Sequence, residues 1–312
     1  MIEATSLTKR YGARTAVDSV DFVVRPGQVT GFLGPNGAGK STTMRMIVGL
    51  DRPSAGRVTV NGKPYAEHHS PLREVGALLD AKAVHTGRSA RNHLRAIAAT
   101  HGIRSGRVDQ VIELTGLQSV AGKRVGGFSL GMGQRLGLAA ALLGDPATLI
   151  LDEPVNGLDP EGVLWVRGFV RQLAAEGRTV LLSSHLMSEM ALTADHIIVL
   201  GKGRVVADAT VAEIVGSTHT FVRVRSPRID EVARRIAQAD VTVTSVESDT
   251  IEVRGLSADV IGDAALAIGV ALHELTTVQG SLEEAYMQLT RDEVEYRTTV
   301  GSGLAQAEGV AR

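Results

Sequence analysis

Residues 34–41 read Gly34-Pro35-Asn36-Gly37-Ala38-Gly39-Lys40-Ser41, which fits the pattern G-x-x-x-x-G-K-[ST] of a phosphate-binding loop. The apolar run at 29–33 predicts a buried strand before the loop, and the apolar positions of 41–49 predict a helix after it. Glycines let backbone N–H groups approach an anion, Lys40 is expected to reach the outer phosphates, and the Ser41 hydroxyl is expected to hold Mg²⁺. A Gly-rich turn with an incidental lysine is the alternative, but such a chance match has a probability on the order of 1%. The stretch therefore predicts a nucleotide-phosphate site.

Two acids follow a second segment that is predicted to be a buried strand. Residues 148–151 are that strand, Asp152 and Glu153 end it, and Pro154 prevents its extension. A carboxylate at the end of a buried strand opposite a phosphate loop is suited to a magnesium-associated role. The alternative is that the acids only solvate the strand end, and the presence of the loop makes that alternative much weaker.

The composition limits the classes of protein that fit. The chain has 312 residues, of which 44% are hydrophobic and 21% charged, as in globular proteins with a sizeable core. The net charge of −1 gives no electrostatic reason to expect a nucleic-acid partner. The lack of cysteine excludes disulfides, thiolate metal sites and cysteine nucleophiles, and it fits the cytoplasm. Residues 1–5 lack a basic segment followed by an apolar run, so no signal peptide is expected there. No apolar run of about 18 residues occurs, so no membrane span is expected.

The order of predicted elements indicates an α/β fold. Residues 1–216 alternate strands and helices around a mainly parallel core sheet, with antiparallel strands near the N-terminus. Residues 89–143 are mostly helical by their apolar spacing and are expected to form a subdomain beside that sheet. Tyr11 is expected in the turn between the first two strands, where its ring could either stack on a nucleobase or cover the sheet edge.

The character of the sequence changes near residue 217. Strands are predicted at 219–225, 241–246, 250–254 and 270–275, with helices at 229–239, 257–268 and 281–289. This order predicts a small α+β accessory domain of the ferredoxin-like type over 217–290, without a catalytic constellation. Residues 291–312 contain few large apolar groups and are predicted to be a disordered tail.

The ordered set of motifs resembles the nucleotide-binding subunit of ATP-binding cassette (ABC) transporters, a P-loop NTPase family, over residues 1–216. The positions that carry the resemblance are Tyr11 for the adenine-stacking aromatic, 34–42 for Walker A, 129–135 for the signature, 149–152 for Walker B followed by Glu153, 156–159 for the D-loop and His185 for the switch histidine. The ordered set is far more specific than any one motif. The C-terminal region, including its ending at 280–286, is similar to the accessory domain of ABC-2-type drug, antibiotic or lantibiotic exporters, although that likeness is weaker.

The resemblance implies a set of residues for ATP and Mg²⁺. In this family two ATPase subunits close head to tail, and each ATP lies between Walker A of one and the signature of the other. The implied ATP-binding residues are Tyr11, Gly34, Asn36, Gly37, Gly39, Lys40, Ser41 and Thr42, with Ser129, Gly131 and Asp159 from the signature and D-loop. Glu153 is implied to polarise the attacking water and His185 to orient it, while Ser41, Asp152 and Asp80 are implied for the metal.

Two residues depart from the family pattern. Asp80 stands where the family usually has a glutamine that contacts magnesium and the membrane partner. An aspartate offers an oxygen to magnesium, but it is one methylene shorter and negatively charged. Leu130 makes the signature read Ser-Leu-Gly where Ser-Gly-Gly is usual. We interpret Leu130 as a mark of a subfamily.

The function implied is ATP hydrolysis that powers a separate ABC-2-type transmembrane permease, for export of a drug, antibiotic or other small molecule. The chain would act as a homodimer, peripheral on the inner face of the cell membrane through the permease. One alternative is a soluble ABC-type ATPase that acts on ribosomes, DNA or iron–sulfur assembly. Another is a nucleotide-binding regulator with degraded activity, which Asp80 and Leu130 would suggest.

Overall fold

A computed structural model describes residues 1–80, 84–216, 220–278 and 280–290 of the chain. The tail expected at 291–312 lies outside these residues. Within the described part, the helices are all too short or too polar to cross a membrane.

The N-terminal sheet is antiparallel and has the strand order β2-β1-β4. Its strands are β1 (Ile2–Tyr11), β2 (Arg14–Val24) and β4 (Ala55–Val60). Alternate residues of β2, such as Val20 and Phe22, are buried, as expected for a sheet with one face in the core. Tyr11 is the last residue of β1 and pairs with Arg14, so the prediction that it lies in the turn was wrong. Strand β1 extends beyond its apolar residues because the polar residues at its end also pair with β2.

The central sheet has six strands in the order β5-β6-β7-β3-β8-β9. The strands are β3 (Val29–Leu33), β5 (Val75–Leu78), β6 (Thr148–Leu151), β7 (Thr179–Ser183), β8 (His196–Gly201) and β9 (Arg204–Thr210). The first five pair in parallel and β9 is antiparallel to β8. The mainly parallel core is therefore confirmed. Because β6, β7 and β3 are neighbours, the residues that follow them converge at one edge, which we call the carboxyl edge.

Apolar clusters cover both faces of the central sheet, which explains why its strands are continuous apolar runs. On one face the N-terminal sheet packs against it, and the Phe22 and Phe32 ring centroids are 5.6 Å apart. On the other face lie most of the helices. The helices of this first part of the chain are α1 (Lys40–Ile47), α2 (Pro71–Glu74), α3 (Ala90–Thr100), α4 (Ser105–Leu114), α5 (Leu130–Ala141), α6 (Pro160–Ala175), α7 (Met187–Thr193) and α8 (Val211–Gly216). The expected helical block at 89–143 corresponds to α3, α4 and α5.

The C-terminal part forms a separate antiparallel sheet with the strand order β11-β12-β10-β13. Its elements are β10 (Phe221–Arg225), α9 (Ile229–Ile236), β11 (Thr242–Glu247), β12 (Thr250–Arg254), α10 (Ala258–Ala267) and β13 (Glu274–Val278). The strand expected at 270–275 is instead β13, four residues later. Val270 is only 6% exposed in the connection after α10, and a buried residue in a connection gives the same apolar signal as a strand.

The last described helix, α11 (Leu282–Thr290), returns to the first part of the chain. It contacts α7, α8 and β9. Leu282 and Ala285 are buried in the same cluster as Met190 and Ile214. The packing of α11 thus belongs to the central sheet's core, whereas the domain boundary near 216 stays a prediction.

Candidate active site

The phosphate loop connects β3 to α1 through two positions that require glycine. Gly34 has φ of 152°, and a Cβ there would lie 2.5 Å from the carbonyl oxygen of Leu200. Gly39 caps α1 with φ of 100°, and a Cβ there would lie 2.6 Å from the carbonyl oxygen of Ala16. Any side chain at either position would collide with backbone, so the tight loop and the exposed N–H groups of the helix start depend on these glycines.

Lys40 folds back over this loop. Its Nζ donates to the carbonyl oxygen of Gly34 at 2.5 Å and to that of Pro35 at 3.1 Å. Burial lowers the pKa of Lys40, while the nearby carboxylates of Glu153 and Asp152 act in the opposite direction. The loop carbonyls and the two acids therefore place one ammonium group at the mouth of the loop.

The loop forms the wall of a cleft of about 570 Å³. Predicted site residues that line it are Tyr11, Asn36, Gly37, Gly39, Lys40, Ser41, Thr42, Asp152 and Glu153, together with Arg14, Ala16 and Ala38. Tyr11 lies at the outer end, half exposed, and its hydroxyl donates to Asp51 Oδ2 at 3.0 Å. The cleft thus combines an anion-binding loop, an aromatic ring and two carboxylates, which are the groups that suit a bound nucleoside triphosphate.

Two of the three residues predicted for the metal, Ser41 and Asp152, are held by a short hydrogen-bond network at the carboxyl edge. Ser41 Oγ donates to Asp152 Oδ2 at 2.8 Å, and Ser183 Oγ donates to Asp152 Oδ1 at 2.5 Å. The Ser183 hydroxyl also accepts from the N–H of Glu153 at 3.0 Å. Hydroxyl and carboxylate oxygens suit Mg²⁺, which takes few protein ligands and completes its shell with water and phosphate. The described residues contain no cluster of three or more His, Asp or Glu that could hold a metal ion.

Glu153 and His185 face each other beside this network. His185 Nδ1 lies 2.6 Å from Glu153 Oε2, within hydrogen-bond distance. The side chain of Glu153 is 28% exposed and that of His185 60% exposed, so water reaches both. The pair has the geometry of a carboxylate base whose direction is set by an imidazole.

Six predicted site residues do not line this cleft: Gly34 and His185, whose positions are given above, and Ser129, Gly131, Asp159 and Asp80. Ser129 caps α5 by accepting from the N–H of Met132 at 3.2 Å, and Gly131 lies in the first turn of the same helix. Asp159 caps α6 by accepting from the N–H of Gly162 at 2.9 Å, so its carboxylate has a structural partner within its own chain. Asp80 is exposed two residues after β5, whose Leu78 pairs with Leu151, so Asp80 and Glu153 follow neighbouring strands at the carboxyl edge.

The sequence analysis missed two residues that hold the acids. Ser183 ends β7 and is fully buried, and its hydroxyl contacts both acids. Gln134 lies in α5, and its Nε2 donates to the carbonyl oxygen of Glu153 at 2.8 Å. A signal for Ser183 was present, since it is a polar residue at the end of a predicted buried strand. Gln134 lies within the signature stretch 129–135, but 19 positions separate it from Glu153 and nothing in the spacing linked the two residues.

Three family descriptions match parts of the chain. The family described as ABC transporter matches residues 17–156. A family described as an AAA domain, putative AbiEii toxin, Type IV TA system, matches 124–191, and a domain of unknown function matches 220–283.

Similar curated proteins extend over most of the chain. An uncharacterized ABC transporter ATP-binding protein, YhcH of Bacillus subtilis, is 36% identical over 95% of this chain and 99% of its own length. The bacitracin transport ATP-binding protein BcrA of Bacillus licheniformis is 41% identical over 67% of this chain and 69% of its own length. The daunorubicin resistance ATP-binding protein DrrA3 of Streptomyces coeruleorubidus is 35% identical over 91% of this chain and 94% of its own length.

Solved structures agree on the fold. The ATP-binding subunit of an ABC transporter is 28% identical, with a TM-score of 0.63, over 69% of this chain and 91% of that one. A dimeric bacterial ABC transporter cassette has a TM-score of 0.62 over 68% of this chain and 99% of that one, at 22% identity. The chain belongs to the family of ABC transporter ATP-binding proteins, and it is an ATPase.

Proposed function

We propose that this chain powers the export of an antibiotic, drug or other small molecule through a separate ABC-2-type permease. The observation that carries the proposal is the convergence of Lys40, Ser41, Asp152 and Glu153 at one cleft, with His185 within hydrogen-bond distance of Glu153. The chain belongs to a family whose members include proteins named as bacitracin transport, lantibiotic transport and daunorubicin resistance ATP-binding proteins. A role on ribosomes, DNA or iron–sulfur assembly has no support among these relatives.

Each side chain of the cleft has one task in hydrolysis. The loop N–H groups and Lys40 bind the phosphates. Ser41 and Asp152 would hold Mg²⁺, which would supply charge neutralisation on the phosphates. Glu153 accepts a hydrogen bond from the attacking water. This hydrogen bond polarises the O–H bond and makes the water oxygen more nucleophilic. His185 keeps the Glu153 carboxylate directed into the cleft and orients the water against the terminal phosphate.

Completion of the site requires a second ATPase subunit. Ser129 and Gly131 lie at the exposed start of α5, outside the cleft of their own chain. The N–H groups of that helix start suit the terminal phosphate of an ATP bound to the other subunit. Asp159 belongs to the same face, and Asp80 contributes to the metal site or to contact with the permease. Closure and reopening of the two subunits then drive the membrane partner.

The C-terminal part is an accessory domain of the ferredoxin-like type. Its support is the order β-α-β-β-α-β and the strand order β11-β12-β10-β13. The complex lies at the inner face of the cell membrane because the permease anchors it there.

Replacement of Glu153 by Gln tests the catalytic assignment. The amide keeps the size of the side chain but is a poor base, so ATP turnover is expected to fall about 10²–10⁴-fold while ATP still binds. The matched control is Glu161→Gln, an exposed acid in the first turn of α6, which should hydrolyse ATP normally. Measured with the co-purified permease, turnover at the wild-type rate in Glu153→Gln would refute the assignment. Recovery of the chain on ribosomes instead of with a membrane protein would refute the transport role.

A further inference from the structure

Glu153 has an unusual backbone conformation for a residue at the centre of the chemistry. Its φ is +50°, a region that residues with a side chain rarely adopt. Such strain persists only where the surroundings hold the residue from several sides. Here the N–H of Glu153 donates to Ser183 Oγ at 3.0 Å, and its carbonyl accepts from Gln134 Nε2 at 2.8 Å and from the N–H of Asn156 at 3.1 Å.

For the stability of the fold alone, glutamine is an unfavourable residue at position 134. It is 4% exposed, and its Oε1 is buried without a hydrogen-bond partner in the described part of the chain. A half-satisfied amide in a core is less favourable than an apolar side chain of the same shape. Its single hydrogen bond to Glu153 is therefore the feature that distinguishes glutamine from methionine at this place.

We propose that Gln134 is a positioning residue for Glu153. Its amide fixes the carbonyl of Glu153, and with it the backbone conformation that aims the carboxylate at His185 Nδ1, 2.6 Å away. This inference rests on the proposed hydrolytic role of Glu153.

The position of Gln134 adds a second consequence. It lies in the second turn of α5, the helix that Ser129 caps. A helix moves as a rigid element, so a shift at the Ser129 end displaces the Gln134 amide. In a two-subunit assembly, the helix end that meets one ATP is thus tied to the carboxylate that acts on the other.

Two variants of Gln134 test the proposal. Gln134→Met keeps the shape and removes the hydrogen bond, and Gln134→Glu keeps the shape and replaces the donor by an acceptor. We expect kcat for ATP to fall about 10–100-fold in both, with KM for ATP changed less than about threefold. The melting temperature of Gln134→Met should stay level or rise, since its unsatisfied oxygen is gone. Gln118→Met is the control, because Gln118 is exposed and also donates to a backbone carbonyl, that of Glu113.

The outcomes separate this inference from the proposed function. Normal kcat in Gln134→Met, alongside an inactive Glu153→Gln, would overturn the positioning role and leave the function intact. A parallel loss of kcat, ATP affinity and melting temperature in Gln134→Met would show a merely structural role. An active Glu153→Gln would refute the catalytic assignment of Glu153 itself, whatever Gln134 does.

Discussion

The buried hydroxyl oxygen of Ser183 forms hydrogen bonds with both acids of the site. It donates to Asp152 Oδ1 and accepts from the N–H of Glu153, while Ser41 holds the other oxygen of Asp152. Asp152 is therefore fixed at both oxygens in the proposed Mg²⁺ site. Such preorganisation by supporting hydrogen bonds commonly tunes the affinity of a metal site.

Removal of this hydroxyl is predicted to weaken Mg²⁺ binding at the proposed metal site. Ser183→Ala frees one oxygen of Asp152 and leaves the N–H of Glu153 without its partner, at a cost of about 1–3 kcal/mol of unfolding free energy. The Mg²⁺ concentration for half-maximal ATP turnover should rise several-fold. Ser184→Ala is the control, because Ser184 is also buried but its hydroxyl accepts from the N–H of Leu186. An unchanged Mg²⁺ requirement in Ser183→Ala would contradict this role.

At the same scale, the sequence predicted those residues whose chemistry is local. Lys40 and Ser41 belong to one continuous loop, and Asp152 and Glu153 end one strand, so pattern and spacing were sufficient to find them. Gln134 contacts Glu153 only because α5 packs against β5, the neighbour of β6 in the central sheet. No short-range pattern encodes such a contact, which depends on tertiary packing.

Among the elements, the start of α5 packs tightly against the loop before α6. Leu130, the residue that departs from the usual signature, lies over Gly157, where an added Cβ would be 2.2 Å from Leu130 Cδ2 and 2.5 Å from Cγ. Gly131 is also close, since a Cβ there would lie 3.0 Å from the carbonyl oxygen of Gly157. The larger residue at 130 is thus accommodated by the smallest possible residue at 157.

A double-mutant cycle measures this packing. Gly157→Ala should destabilise the chain through both its positive φ of 75° and the clash with Leu130, whereas in a Leu130→Gly background only the backbone strain remains. We expect a coupling of about 1 kcal/mol between the two sites in urea unfolding. The control cycle uses Gly177→Ala, whose φ is 90° with nothing within 4 Å of the added Cβ, and it should show no coupling to Leu130. Additive free energies for the Leu130–Gly157 pair would refute the contact.

At the scale of the whole molecule, the sequence predicted the central sheet. It did not predict that α11, the last described helix, packs against the core of that sheet. The apolar runs of β3, β6 and β7 identified the parallel core, since only strands buried on both faces look like that. The sequence also predicted a helix at 281–289, which is α11, but the sequence did not indicate which core that helix covers. Leu282 and Ala285 pack with Met190 of α7, the helix that follows His185, and this pairing joins distant parts of the chain.

Leu282 is accordingly predicted to stabilise the core of the central sheet. It is 3% exposed, so Leu282→Ala should lower the unfolding free energy by about 2–5 kcal/mol. Met287→Ala on the same helix is the control, because Met287 is 63% exposed and its loss should change stability by less than about 0.5 kcal/mol. Trp165, the single tryptophan, lies in α6 against the same cluster, so its fluorescence reports the unfolding of that core directly. If α11 packs as described, the fluorescence midpoint shifts in Leu282→Ala and not in Met287→Ala. An unshifted Trp165 midpoint in Leu282→Ala would mean that α11 folds apart from the core that carries the site.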